Sequence, residues 1–167
     1  MPGEGPDTPD APLNLVEAAA VRDASVELVR RARRSVDLFS HQLDPQLYDT
    51  SEFVDALRAL VVDSRRARVR VLVREVAPLV ARGHRLIELA QRLSSFMEIR
   101  VPAPEHQDTA DAWLVVDRCH YLHRRTGTRH EATAAFDDAR RARQLTFRFD
   151  EIWARAQPDL NLKRLHL

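Results

Sequence analysis

The chain has 167 residues, a length that suits one domain with a sizeable core. Hydrophobic residues make up 44% and charged residues 31%, which excludes a collagen, a long disordered chain and a disulfide scaffold. Lys plus Arg number 26 against 25 for Asp plus Glu, so a formal charge of +1 announces no strongly basic nucleic-acid surface, although a local patch stays open.

Residues 1–12 are rich in proline, glycine and acids and read as a disordered leader, with the domain proper over 13–167. From Ala24, the residues Val26, Leu28, Val29 and Ala32 recur at helical spacing, and Arg30, Arg31, Arg33 and Arg34 crowd the last turn. Ser35 to Ser40 alternates with period two and predicts a strand. His41 to Thr50 reads as a loop. Ser51 then caps a helix with Phe53, Val54, Leu57, Leu60 and Val61 inward. Val69 to Arg74 is a β-branched strand. Pro78 opens a further helix that runs to Leu93 and is interrupted by Gly83. Met97 to Val101 alternates again and stops at Pro102.

That alternation of helix and strand argues for parallel strands joined by helical crossovers. The ending differs. Trp113 to Val116 is a buried strand that meets Asp117, and Cys119 to Arg124 returns as its antiparallel partner. Glu131 to Phe136 is ambiguous between a strand and a helix start. Asp137 and Asp138 cap the last long helix, on which Phe149 and Trp153, four apart, meet on the inner face. The tail from Pro158 packs back through Leu160, Leu162 and Leu165.

Four segments carry a family resemblance. Arg66-Ala67-Arg68-Val69-Arg70-Val71-Leu72-Val73 resembles the start of the second strand in the phospholipase D-like superfamily, and Phe96 to Val101 resembles its third. Trp113-Leu114-Val115-Val116-Asp117-Arg118 is similar to its apolar strand ending in Asp. Phe149 to Ala156 is similar to its closing helix. The resemblance spans about Ala24 to Ala156 and implies an α/β domain, a mixed and mostly parallel sheet flanked by helices, like one half of a phospholipase D-like enzyme. Such halves pair to build one active site, so the resemblance makes a homodimer a candidate. Similar segments are also attached to acetyltransferase domains in bacteria, which makes an acetyltransferase-type protein a candidate partner; this chain has no acetyl-CoA loop of its own.

The family signature is H-x-K-x(4)-D, with His as nucleophile and Lys as phosphate grip. Counting back from Asp117 places those two roles at Ala110 and Ala112, and Glu131 stands where the family often has a Glu that orients the His. Without a nucleophile at that place, covalent phosphodiester catalysis loses its first step. The resemblance therefore implies a degenerate site with no catalytic residue. Its candidate pocket gathers Asp117, Glu131, Arg124, His123, Arg100, Arg74 and His41, in which Arg124, with Arg100 or Arg74, neutralises the two acids.

Other chemistry finds little support. His120 and His123, three apart on a strand, face opposite ways, and no zinc spacing is present, so neither metal nor cofactor is expected. There is no GxGxxG, P-loop or GxSxG, and Cys119 in a buried strand reads as a small hydrophobe. Lys163 is the only lysine among the 26 basic side chains, and arginines cluster at Arg65, Arg66, Arg68 and Arg70 and again at Arg140, Arg141 and Arg143. Arginine forks grip phosphate, but codon usage yields the same bias and most of these positions read as solvated faces. The solitary Cys119, the lack of a signal-peptide pattern and the absence of a run near the ~18 apolar residues of a membrane span point to the cytoplasm. The expected function is a non-catalytic module that binds an anionic ligand or a protein partner. The alternatives are a residual phosphodiesterase or nuclease, or a structural assembly domain.

Overall fold

A computed structural model describes residues 11–164. Nearly all of the leader expected over 1–12, and the packing expected of Leu165, lie outside the described residues. The elements are β1 (Leu13–Leu15), α1 (Ala18–Arg30), β2 (Ser35–Ser40), α2 (Pro45–Tyr48), α3 (Ser51–Asp63), β3 (Arg68–Val73), α4 (Ala77–Arg82), α5 (Arg85–Arg92), β4 (Met97–Arg100), a 3-10 turn (Pro104–His106), β5 (Ala112–Val116), β6 (His120–Arg124), β7 (Ala132–Ala135), α6 (Ala139–Arg155) and α7 (Leu160–Arg164).

The seven strands form one sheet in the order β1-β7-β6-β5-β2-β3-β4. The α/β architecture with a mixed sheet is as expected, but parallel pairing is confined to β2–β3 and β3–β4. The other four pairings, β1–β7, β2–β5, β5–β6 and β6–β7, are antiparallel. Helical crossovers stop at β4; the later strands are joined by short turns, which can only return antiparallel. The ambiguous stretch after Glu131 is strand β7. The strand β1, which the sequence reading missed, adds three residues to its edge.

Period-two alternation divides the core. Val36, Leu38, Val69, Val71, Leu114 and Val116 face the layer of α1 to α5. Phe39, Leu72, Trp113, Val115 and Tyr121 face α6, where Leu145, Phe149 and Ile152 cover them. The ring of Trp153 stacks on Phe149 at 5.8 Å but stays partly exposed, lying between the guanidiniums of Arg70 and Arg100.

Local chemistry sets the boundaries. Thr50, not Ser51, caps α3 by accepting the Phe53 N–H at 3.2 Å. The helix expected from Pro78 to Leu93 is two helices, because Gly83 turns the chain at φ +73° and the His84 ring then caps α5 by accepting the Leu86 N–H at 3.1 Å. Among the described residues no helix is long and apolar enough to cross a membrane.

Candidate functional site

The C-terminal ends of β2 and β3 deliver His41 and Arg74 to the same edge of the sheet. Arg74 Nη1 lies 2.9 Å from His41 Nε2 and donates to the Thr109 carbonyl at 2.6 Å. His41 Nε2 is also 3.3 Å from the carbonyl oxygen of Asp111. Burial, and then the Arg74 charge, push the His41 pKa down. The ring packs against Gly127 in the turn after β6: a Cβ at that position would collide with the imidazole, so glycine is required by close approach.

Asp111, just ahead of β5, is the hub on the α6 face. It accepts both Arg148 Nη1 and Nη2, at 2.6 and 2.9 Å, and approaches His123 Nε2 at 2.7 Å. Burial alone would raise its pKa, but the His123 and Arg148 hydrogen bonds and the Arg148 charge hold the carboxyl well below its ordinary range. Arg148 lies over the Trp113 ring at 4.5 Å, and Arg141 reaches His123 Nδ1 at 3.4 Å.

Arg124 works from the opposite face. Its side chain is 1% exposed, yet it keeps a charged partner, Asp44, at 2.8 Å. Nε donates to the Arg129 carbonyl at 2.9 Å and Nη2 to the Gly127 carbonyl at 3.1 Å. Burial pushes the neighbouring Tyr48 phenol up to about 12, against the opposing influence of Arg124. Arg124 pairs directly with Ala112 across β5 and β6, so its side chain leaves the sheet on the face that a side chain at 112 would use.

Several expected members are elsewhere. Asp117 does not approach this edge. Because β5 runs antiparallel to β2, the far end of β5 meets the start of β2, and the Asp117 carboxylate accepts the backbone N–H groups of Arg33, Arg34 and Ser35 at 2.9, 2.8 and 3.0 Å. Glu131 is exposed, and among the described residues neither acid forms an ion pair with arginine. Arg100 binds Glu98 and the Trp153 carbonyl instead. The structure therefore brings together His41, Arg74, His123 and Arg124, and it adds Asp111, Arg148 and Asp44, which sequence reasoning missed. Asp111 had one signal: it stands between Ala110 and Ala112, so alternation points it away from both. Nothing local marks Arg148 or Asp44.

The expectation about metals meets one cluster. The ligand atoms of Cys119, His120 and Asp137 all lie within 4.8 Å of one another. His120 Nδ1 already accepts the Asp137 backbone N–H at 2.9 Å, so that lone pair is committed to the turn. Cys119 is partly exposed in the β5–β6 turn rather than inside a strand, and burial followed by the Asp137 hydrogen bond raises its pKa.

The fold has relatives of known structure. It is similar to TrmBL2, an archaeal chromatin protein, with a TM-score of 0.65 at 14% identity, over 95% of this chain and 57% of that one. It is similar to Nuc, a phospholipase D family member from Salmonella typhimurium, with a TM-score of 0.60 at 13% identity, over 88% of this chain and 97% of that one. NucT from Helicobacter pylori aligns with a TM-score of 0.62 at 10% identity, over 89% of this chain and 99% of that one. No curated protein matches the sequence. The fold is thus phospholipase D-like, as the resemblance implied. Residues 17–165 match the family model described as "Domain of unknown function (DUF7931)", and the chain belongs to that family.

Proposed function

We propose that the chain is a non-catalytic phospholipase D-like module that holds a compact anion, of phosphate size, between Arg74 and Arg124. One observation carries the binding half of this reading: Arg74 Nε and Arg124 Nη1 are buried N–H donors with no partner among the described residues. An orphaned buried donor costs about 1–3 kcal/mol, more on a charged group, and an acceptor arriving from outside recovers it. Arg124 and Arg148 are matched by Asp44 and Asp111, whereas Arg74 has no carboxylate within salt-bridge reach among the described residues. One positive charge is left over at the edge where phospholipase D-like enzymes do their chemistry.

The same geometry supports the absence of catalysis. Ala110 and Ala112 offer no nucleophile or cation, and the nearby histidines are spent. A single guanidinium nitrogen, Arg74 Nη1, sits 3.3 and 2.9 Å from the two ring nitrogens of His41 and crowds both. Those of His123 face Asp111 and Arg141. A nucleophilic imidazole needs one free nitrogen.

Purified protein should hydrolyse a chromogenic phosphodiester no faster than buffer. Inorganic phosphate should raise its melting temperature, and Arg74→Ala should lose most of that rise. Hydrolysis that disappears on mutation of His41 or His123 refutes the non-catalytic half; a phosphate effect equal in Arg74→Ala and wild type refutes the binding half.

A further inference from the structure

We infer that the opposite end of the sheet carries a second anion site, a cleft between the turns that precede β2 and β3 and the β5–β6 turn, which takes a ligand with two or more phosphate groups. The cleft has a volume of about 480 Å³ and is lined by Arg34, Arg66, Arg68, Arg70 and Arg118 around Asp37 and Asp117. It lies a strand's length from Arg74 and does not depend on the function proposed there.

The charges in it do not cancel. Asp37 is 2% exposed and takes both Nε and Nη2 of Arg70, at 2.8 and 3.1 Å, while Asp150 takes Nη2 of the same guanidinium at 2.8 Å. Asp117 is consumed by the three backbone N–H groups of residues 33–35. The cleft's two carboxylates are therefore already satisfied. Arg34, Arg66, Arg68 and Arg118 are exposed, and none forms an ion pair among the described residues. Arg68 is partly oriented, since its Nη1 donates to the Ala67 carbonyl at 2.8 Å.

The surroundings limit the ligand. On the other side of Asp117 a neighbouring cavity of about 610 Å³ mixes Arg30, Arg31 and Arg33 with Asp63 and Asp137, so acids there offset most of the positive charge. Those acids interrupt the positive field beyond Asp117, which suits a compact anion held in the cleft rather than a polymer running past it. Four unpaired guanidiniums carry more charge than one phosphate neutralises, and bidentate forks fit successive phosphates. No aromatic ring lines the cleft, so no base can stack there. The chain's near-zero net charge is an average over acids placed elsewhere and does not describe this surface.

Calorimetry of the full chain at low ionic strength with inorganic phosphate, pyrophosphate and triphosphate tests the site. Affinity should climb along that series, by roughly tenfold or more from phosphate to triphosphate. The double variant Arg66→Glu/Arg118→Glu should lose roughly tenfold or more for triphosphate, while Arg82→Glu/Arg92→Glu, with the same change in net charge, stays within about twofold. Thermal melts establish that both variants fold. Equal affinity for the three anions, equal loss in the two double variants, or loss in Arg74→Ala instead would overturn the assignment. So would a short DNA duplex that binds through Arg66 and Arg118 and that triphosphate does not displace.

Discussion

Arg74 and His41 form a cation–imidazole contact, with Nη1 2.9 Å from Nε2, at the adjacent ends of two parallel strands. Arginine stays protonated at any pH a protein survives, so the imidazole facing it is held neutral. His84 is under the same constraint, because its Nδ1 accepts the Leu86 N–H and its Nε2 therefore donates to the Leu43 carbonyl at 2.9 Å. Burial is the leading cause of the lowered pKa at both histidines.

These shifts set a pH dependence. In the unfolded chain each imidazole titrates near 6.5. With folded values lower than that, the unfolded state binds more protons between the two values. The stabilisation is complete above the unfolded value and is lost as pH falls from there toward the folded one. The melting temperature should therefore decline between pH 7 and about pH 5, and His41→Gln should flatten part of the decline. A melting temperature constant across that window would contradict the neutral, clamped imidazoles.

Asp111 provides the next test. Asp111→Asn keeps the shape but removes the charge that Arg148 and His123 both use. The variant should lose about 2 kcal/mol in urea unfolding, in line with charge-assisted hydrogen bonds of this kind. The carboxyl's folded pKa is depressed, so its contribution is present above the ordinary value of 3.8 and fades as pH falls below it. Wild type and variant should accordingly converge in strong acid. An Asp111→Asn protein as stable as wild type at neutral pH would remove Asp111 as the hub.

The sequence showed the strands better than the site. Ser35 to Ser40 and Trp113 to Val116 are legible because alternation and β-branched runs are local signals, and the likeness of the closing helix rests on Phe149 and Trp153, which do stack. The pocket depended on direction, which is not local. Asp117 follows an apolar strand and stands near Arg124 in sequence, but the strand between Asp111 and Asp117 advances ~3.3 Å per residue, about 20 Å in all. Of these two carboxylates only Asp111 joins the His41 edge. The Arg148–Asp111 and Arg124–Asp44 pairs span long stretches of chain, and no spacing rule foretells which arginine of so many finds which acid.

Gly127 tests how tightly the edge is packed. Gly127→Ala sets a methyl group into the His41 ring, which Arg74 and the turn hold in place. The imidazole has to move, and the Arg74 contact with it. The variant should lose about 1–3 kcal/mol, the usual cost of overpacking. It should also lose the His41 share of the pH dependence described above. Full stability together with an unchanged pH profile would mean that the ring is free to swing aside.

Asp117 separates a structural carboxylate from a pocket carboxylate. It sits at φ +55°, beside Arg118 at the same angle, in the turn between β5 and β6. Aspartate tolerates that conformation better than most residues, and here three backbone N–H groups fix it. Asp117→Ala removes the acceptor and leaves a side chain poorly suited to the backbone angle, so it should cost about 2–4 kcal/mol. Asp117→Gly relieves the angle but not the lost acceptor, and Asp117→Asn keeps one acceptor oxygen and tolerates the angle. The order of destabilisation should be Ala, then Gly, then Asn. Phosphate binding through Arg74 should survive in the Asn variant, because the length of β5 lies between the two sites. If Asp117→Asn is as stable as wild type but no longer responds to phosphate, the carboxylate belongs to the pocket after all and the assignment of Asp117 to the turn is wrong.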